Sequence, residues 1–163
     1  MPVVPDGAPT YFSIRDFIRD QWETYKMTPL AIERVVTGDG EKDSSLVSAY
    51  EFELGEIMQT FIKTDIGDKK FLGKYDFNMI EDAASFTRSY YYEANTPDVY
   101  TKKLQIITDA ENNKVKNIYI EAEEKGGETV KLYYAPMKLI RIQEISKPAI
   151  GSKKEITKEY RFP

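Results

Sequence analysis

The chain has 163 residues, with 23 Lys and Arg against 27 Asp and Glu, a formal net charge of −4 at pH 7 and a pI near 5.1. That length fits one domain, and an acidic balance without a basic block argues against nucleic acid, whose phosphates are held by clustered Lys and Arg. No stretch approaches the ~18 apolar residues of a membrane span.

A hydrophobic fraction of 41% is enough for a core, and 31% charged residues imply a well-solvated surface. Histidine and cysteine are both absent. Their absence removes the commonest general base and metal ligand, every Ser-His or Cys-His nucleophile, thiolate catalysis and disulfides. A catalyst here would have to rely on carboxylates, Lys, Tyr or Ser. The expectation is a non-enzymatic protein with no cofactor and no metal.

Residues 1–10 carry three prolines and a glycine, Pro2, Pro5, Gly7 and Pro9, a composition that favours an extended lead-in. They read as a Pro-rich tether before a single domain over 11–163. The segment lacks the basic and apolar regions of a signal peptide.

A helix follows. Ser13 is a good N-cap, Asp16 sits at the capping-box position, and Phe12 and Phe17 occupy the two staple positions. Ile14, Phe17, Ile18, Trp22 and Tyr25 form one apolar stripe, and Thr28-Pro29 ends the helix. Leu30 to Thr37 reads as a strand, and Gly38-Asp39-Gly40 as a hairpin turn. The return limb alternates from Leu46 to Phe52. From Leu54 the period changes to that of a helix through Ile57, Met58, Phe61 and Ile62, as far as Thr64, with Gly67-Asp68 as breaker.

From Phe71 onward the period is two, with Gly73, Tyr75, Phe77 and Met79 on one face. Strands follow over Phe86–Ala94, Thr101–Thr108, Val115–Glu123, Thr129–Ala135, Met137–Ser146 and Lys154–Phe162. Asn112-Asn113 and Gly126-Gly127 mark turns, and Pro136 a break. Two amphipathic helices need a face to cover, and a long antiparallel meander supplies one. The fold class is therefore α+β, with two helices on one face of a long, curved antiparallel sheet. A half-barrel and a closed barrel both satisfy the pattern.

Tyrosine is the unusual component, with 12 Tyr beside 8 Phe and 1 Trp. Phe86, Arg88, Tyr90 and Tyr92 share one strand face by alternation, while Tyr91 faces the other way, and Tyr133 and Tyr134 divide similarly. Phe86, Arg88, Tyr90, Tyr92 and Tyr133 are the candidate ligand-binding residues, since a row of Tyr with an Arg can line a groove for a lipid, glycan or peptide. The plainer alternative is that Tyr has high strand propensity and fills half-wet sheet faces. Glu51, Glu53, Glu56, Asp65, Asp68, Glu121, Glu123 and Glu124 supply carboxylates for a glycosidase-like pair, yet they fall at element ends where surface charge is ordinary. Asp65-Ile66-Gly67-Asp68 opens like a calcium loop but lacks the later ligands. Lys69-Lys70, Lys102-Lys103 and Lys153-Lys154 are too dispersed for a basic patch.

Two stretches carry a resemblance. Tyr11-Phe12-Ser13-Ile14-Arg15-Asp16-Phe17, running to Gln21-Trp22-Glu23, is similar to the opening of a family of small, uncharacterised envelope lipoproteins from Bacteroidota. Phe61-Ile62-Lys63-Thr64-Asp65-Ile66 with Phe71-Leu72-Gly73-Lys74-Tyr75 resembles the family's helix-to-strand segment, and Leu132-Tyr133-Tyr134 and Tyr160-Arg161-Phe162 fit its strands. The resemblance implies a lipidated N-terminal Cys and tether before one folded domain on the periplasmic side or outer membrane. It assigns no functional residue. The expected role is a non-catalytic envelope module that binds an unknown protein, glycan or hydrophobic ligand and meets the membrane only through its anchor. A carrier with an apolar cavity between sheet and helices is the alternative, and a carboxylate-based glycan hydrolase the third.

Overall fold

The computed structural model describes residues 10–26, 28–48, 54–147 and 151–163. The tether over residues 1–9, the end of the expected return limb, Glu51, Glu53 and part of the 148–152 loop lie outside the described residues. The elements run α1 (Ile14–Tyr25), β1 (Ala31–Gly38), β2 (Glu41–Ser48), α2 (Leu54–Ile62), a 3₁₀ turn (Lys69–Phe71), β3 (Tyr75–Asp82), β4 (Thr87–Ala94), β5 (Thr101–Asp109), β6 (Val115–Glu123), β7 (Thr129–Ala135), β8 (Leu139–Ser146) and β9 (Lys154–Arg161).

The N-terminus of α1 forms as its sequence dictates. The Ser13 side chain accepts from the Asp16 N–H at 3.2 Å, and the Phe12 and Phe17 rings lie 6.0 Å apart across the cap. A second contact fixes this end from outside. Asp65, buried just after α2, accepts from the Arg15 N–H at 3.3 Å, placing a carboxylate at the positive end of the helix.

All nine strands join one antiparallel sheet in the order β2-β1-β9-β8-β7-β6-β5-β4-β3. The sheet does not close: β2 and β3 are its two edges, so the closed-barrel option gives way to an open sheet. β3 to β9 form one continuous meander, and the β1–β2 hairpin joins it at the β9 end, where Tyr160 pairs with Ile140 on one side and with Arg34 on the other.

Register fixes the faces. Tyr92, Leu104, Ile120, Leu132 and Ile142 oppose one another in turn across β4 to β8, and Tyr90, Ile106, Ile118, Tyr134, Ile140 and Tyr160 form the adjacent row through β9. These residues are buried together with Ile14, Phe17, Ile18 and Tyr25 of α1 and Ile57 and Phe61 of α2. Both helices therefore lie on one face of the sheet, as the α+β pattern requires.

Several boundaries differ from the sequence expectation, four of them for a local reason that the structure shows. β2 begins at Glu41 because Asp39 and Gly40 both take positive φ (50° and 76°), the two-residue turn that pairs Gly38 directly with Glu41. β3 begins at Tyr75, not Phe71, because Asp68 caps the 3₁₀ turn by accepting from the Lys70 N–H at 3.0 Å. Phe86 precedes β4 as a turn residue with φ 53°, and Met137 precedes β8 with φ 60°.

Candidate functional site

The five candidate residues do not form one surface. Tyr90 and Tyr92 face the helices and are buried, Tyr92 at 1% exposure. Tyr92 meets the Tyr11 ring edge-on at 5.4 Å and Phe77 at 5.0 Å. Burial pushes its phenol up to about 12. Tyr133 lies on the opposite face, beneath the Arg141 guanidinium at 5.6 Å from the ring centre. Phe86 and Arg88 sit at the far end of the β3–β4 hairpin.

The outer face carries a Tyr row with an Arg, though from other residues than those expected. Tyr91, Gln105, Tyr119, Tyr133, Arg141 and Glu159 are opposite neighbours across β4 to β9, all half-buried. The Tyr119 hydroxyl donates to Glu121 at 2.9 Å; desolvation first, then that bond, raises its pKa to about 12. Glu121 in turn lies 3.8 Å from both Lys103 and Lys131, and Arg141 lies 3.4 Å from Glu159. The polar groups of this face are largely occupied by one another.

The β3–β4 end is different. Here large apolar side chains are open to solvent: Phe77 at 43%, Met79 at 47%, Ile80 at 55% and Phe86 at 68%. Phe77 and Met79 oppose Tyr92 and Tyr90 on the helix-side face, and Ile80 opposes Ser89 on the outer face. The Phe77 ring stacks on Tyr90 at 6.2 Å. The sheet's apolar surface thus runs continuously from the core out to an edge that the helices leave bare.

The hairpin end is held firmly. Asp82 accepts from the Ala84 N–H at 3.0 Å and the Ser85 N–H at 3.4 Å, and the Ser85 and Thr87 hydroxyls meet at 2.7 Å. The Ala110 N–H donates to the Phe86 carbonyl at 2.9 Å. Hydrogen bonding, from Ser85 first, keeps the exposed Asp82 carboxyl below its ordinary pKa and so ionised. Arg88 donates to Glu81 at 3.1 Å. Of the five candidates, Phe86, Arg88 and Tyr90 belong to this region; Phe77, Met79 and Ile80 complete it. Alternation places Phe77 and Met79 on one face, but no pattern in the sequence says that the helices stop short of them.

The remaining candidates have structural roles or none. Asp65 caps α1, Asp68 caps the 3₁₀ turn, and Glu124 pairs with Lys63. No group of three or more metal-ligating side chains exists among the described residues. Between the helices and Tyr134 the free space is about 20 Å³, far below the ~300 Å³ at the lower end of ligand pockets. A larger groove of about 1000 Å³, between the β4–β5 loop and the β6–β7 turn, is lined mainly by polar residues such as Asn95, Asp98, Lys102 and Glu123. No helix among the described residues is long and apolar enough to cross a membrane. Compared with protein families, curated proteins and solved structures, the chain finds no match.

Proposed function

We propose that this protein is a non-catalytic binding module of the cell envelope, carried on a lipid-anchored N-terminal tether, that holds a protein partner through the β3–β4 end of its sheet. One observation carries the binding role: of the eight large apolar side chains exposed among the described residues, four, Phe77, Met79, Ile80 and Phe86, gather on one hairpin at an open sheet edge. A concentration of exposed apolar side chains marks interaction sites. The opposite edge is built differently, since β2 presents Glu41, Lys42, Asp43, Ser44 and Ser45, with Leu46 its one large exposed hydrophobic among the described residues. Both edge strands carry three charged residues, so what sets β3 apart is its exposed apolar side chains. The envelope and lipid parts rest on the resemblance of the opening helix and strands to small Bacteroidota lipoproteins and on the Pro-rich start.

The binding role is tested by replacing Ile80 and Phe86 with Lys and comparing co-purification from source cells with wild type and with a Tyr133→Ala control. Loss of a stoichiometric partner in the double variant alone is the expected result; equal retention in all three removes the hairpin as the site. Labelling the full-length precursor with a fatty-acid probe tests the anchor, and an unlabelled precursor removes it. The enclosed-carrier alternative finds less support, because the space between the two helices and Tyr134 is about 20 Å³ and the pocket of about 380 Å³ beside α1 lies at the sheet's end, lined in part by Asp20, Asn112, Asn113 and Lys114.

A further inference from the structure

Resting on the binding role just proposed, we infer that β3 accepts an extended peptide segment as a tenth strand, and that the segment alternates apolar with basic residues. Among the described residues β3 has a strand neighbour on one side only, β4, so beyond the Tyr75 carbonyl, which accepts from the Tyr11 hydroxyl at 3.4 Å, its outer row of backbone N–H and C=O groups is open to a further strand. Such an edge templates strand addition, with main-chain bonds supplying affinity and alternate side chains supplying selectivity.

The side chains of β3 specify what would bind. On the helix-side face an incoming strand meets Phe77 and Met79. On the outer face it meets Asp76, Asn78, Ile80 and Asp82, all exposed. Asp76 stands directly opposite Glu93, a like-charge pair that is unfavourable unless a cation joins it. Among the described residues, Asp76, Glu93 and Asp82 form no ion pair; the nearby Lys103 lies 3.8 Å from Glu121 and Arg88 is taken by Glu81. Lys103 of β5 stands opposite Glu93 and the Asn95 amide donates to Asp76 at 3.2 Å, so the acidic groups of the outer edge that meet no cation among the described residues are Asp76 and Asp82. Apolar residues toward the helices and Lys or Arg toward the outside match both sides of the strand.

The same charges disfavour a second copy of the chain. Pairing two β3 strands antiparallel about Met79 sets Asp76 against Asp82 twice, and β2 offers Glu41 and Asp43 against one Lys42. The occupant is a different, basic chain.

The test uses the whole protein and a capped octapeptide of alternating Lys and Val, with binding read by fluorescence anisotropy and the site by amide hydrogen exchange. Saturable binding with protection confined to β3 is expected. Methylating alternate backbone nitrogens of the peptide, or changing Asp76 and Asp82 together to Lys, weakens binding at least about tenfold. Because Asp82 also holds the hairpin turn, Asp76→Lys alone serves as the second variant and should weaken binding in the same direction, and a matched Glu-Val octapeptide should bind the doubly substituted protein in preference. Equal binding of the N-methylated peptide overturns strand addition while leaving the hairpin as a binding face. Equal binding of a Lys-Gly octapeptide overturns it as mere charge attraction. No binding by any peptide also overturns it, and the co-purification result with Ile80 and Phe86 replaced then decides the broader role independently.

Discussion

Inside the core, the buried Tyr134 lies between two polar groups, the Tyr25 hydroxyl and the half-buried Gln21 amide. The Met137 N–H donates to the Tyr25 hydroxyl at 2.9 Å, the Tyr25 and Tyr134 hydroxyls share a short bond, and Tyr134 donates to Gln21 at 2.7 Å. With Tyr134 donating onward, Tyr25 donates to Tyr134, so every proton in the relay has one acceptor. The relay also ties Met137, held at positive φ, to α1. Tyr134→Phe removes the middle oxygen and leaves a buried donor unpaired, so urea denaturation should show a loss of about 1–3 kcal/mol. Alkaline pH acts on the same groups. Burial raises the phenol pKa values of Tyr25, Tyr75, Tyr92 and Tyr134 above the ordinary 10.0. The native state then holds protons that the unfolded chain gives up. Stability is intact below pH 10 and falls as pH rises through about 12, where Tyr92 would ionise. Tyrosinate absorbance and far-ultraviolet circular dichroism should therefore change together above pH 10; smooth ionisation of these phenols with the fold intact would contradict the assignment. At this scale the sequence was only half legible. Alternation separates Tyr90 and Tyr92 from Tyr91, but it does not say which face the helices cover, and the buried pair was the wrong one to expect at a surface.

Among the elements, the joint between α2 and α1 is the tightest. A methyl group on Gly67 would lie 2.9 Å from the Ser13 Cβ and 3.0 Å from its Cα, with the Asp65 carboxylate at 3.3 Å. Ser13 is the N-cap of α1, so Gly67→Ala pushes on the cap itself. The expected cost is about 1–3 kcal/mol, measurable as a lowered denaturation midpoint. The breaker role of Gly67-Asp68 was legible from composition; the close approach to a residue 54 positions earlier was not, because it depends on how the two helices dock. The edges divide the same way. Charged β2 carries little periodic signal, which hides its start, whereas β3 shows clean alternation but ends as an open edge. In hydrogen exchange the β3 amides should lose protection before those of β5 to β7, since they are paired on one side only. Slower exchange in β3 than in β6 would contradict an open edge in solution.

For the whole molecule, the meander from β3 to β9 followed from the turn signals, but the place of the β1–β2 hairpin did not. Chain order sets that hairpin before β3, yet it joins the opposite end of the row, where β1 pairs with β9. Arg161 pairs with Glu33 of β1 at 3.1 Å and with Glu159 of its own strand at 3.4 Å, and Glu159 also meets Arg141 of β8, so the charges stitch three strands at the seam. Removing residues 154–163 should leave two unjoined sheet pieces and abolish cooperative unfolding, a far larger effect than trimming an edge would have. The truncated chain melting as one unit would show that β1 and β2 find another home. Because β1 docks on β9, the first hairpin of the sheet has no strand to join until the last one has been made. Such a late clasp works as a timer: the nine strands become one surface only when the ninth arrives.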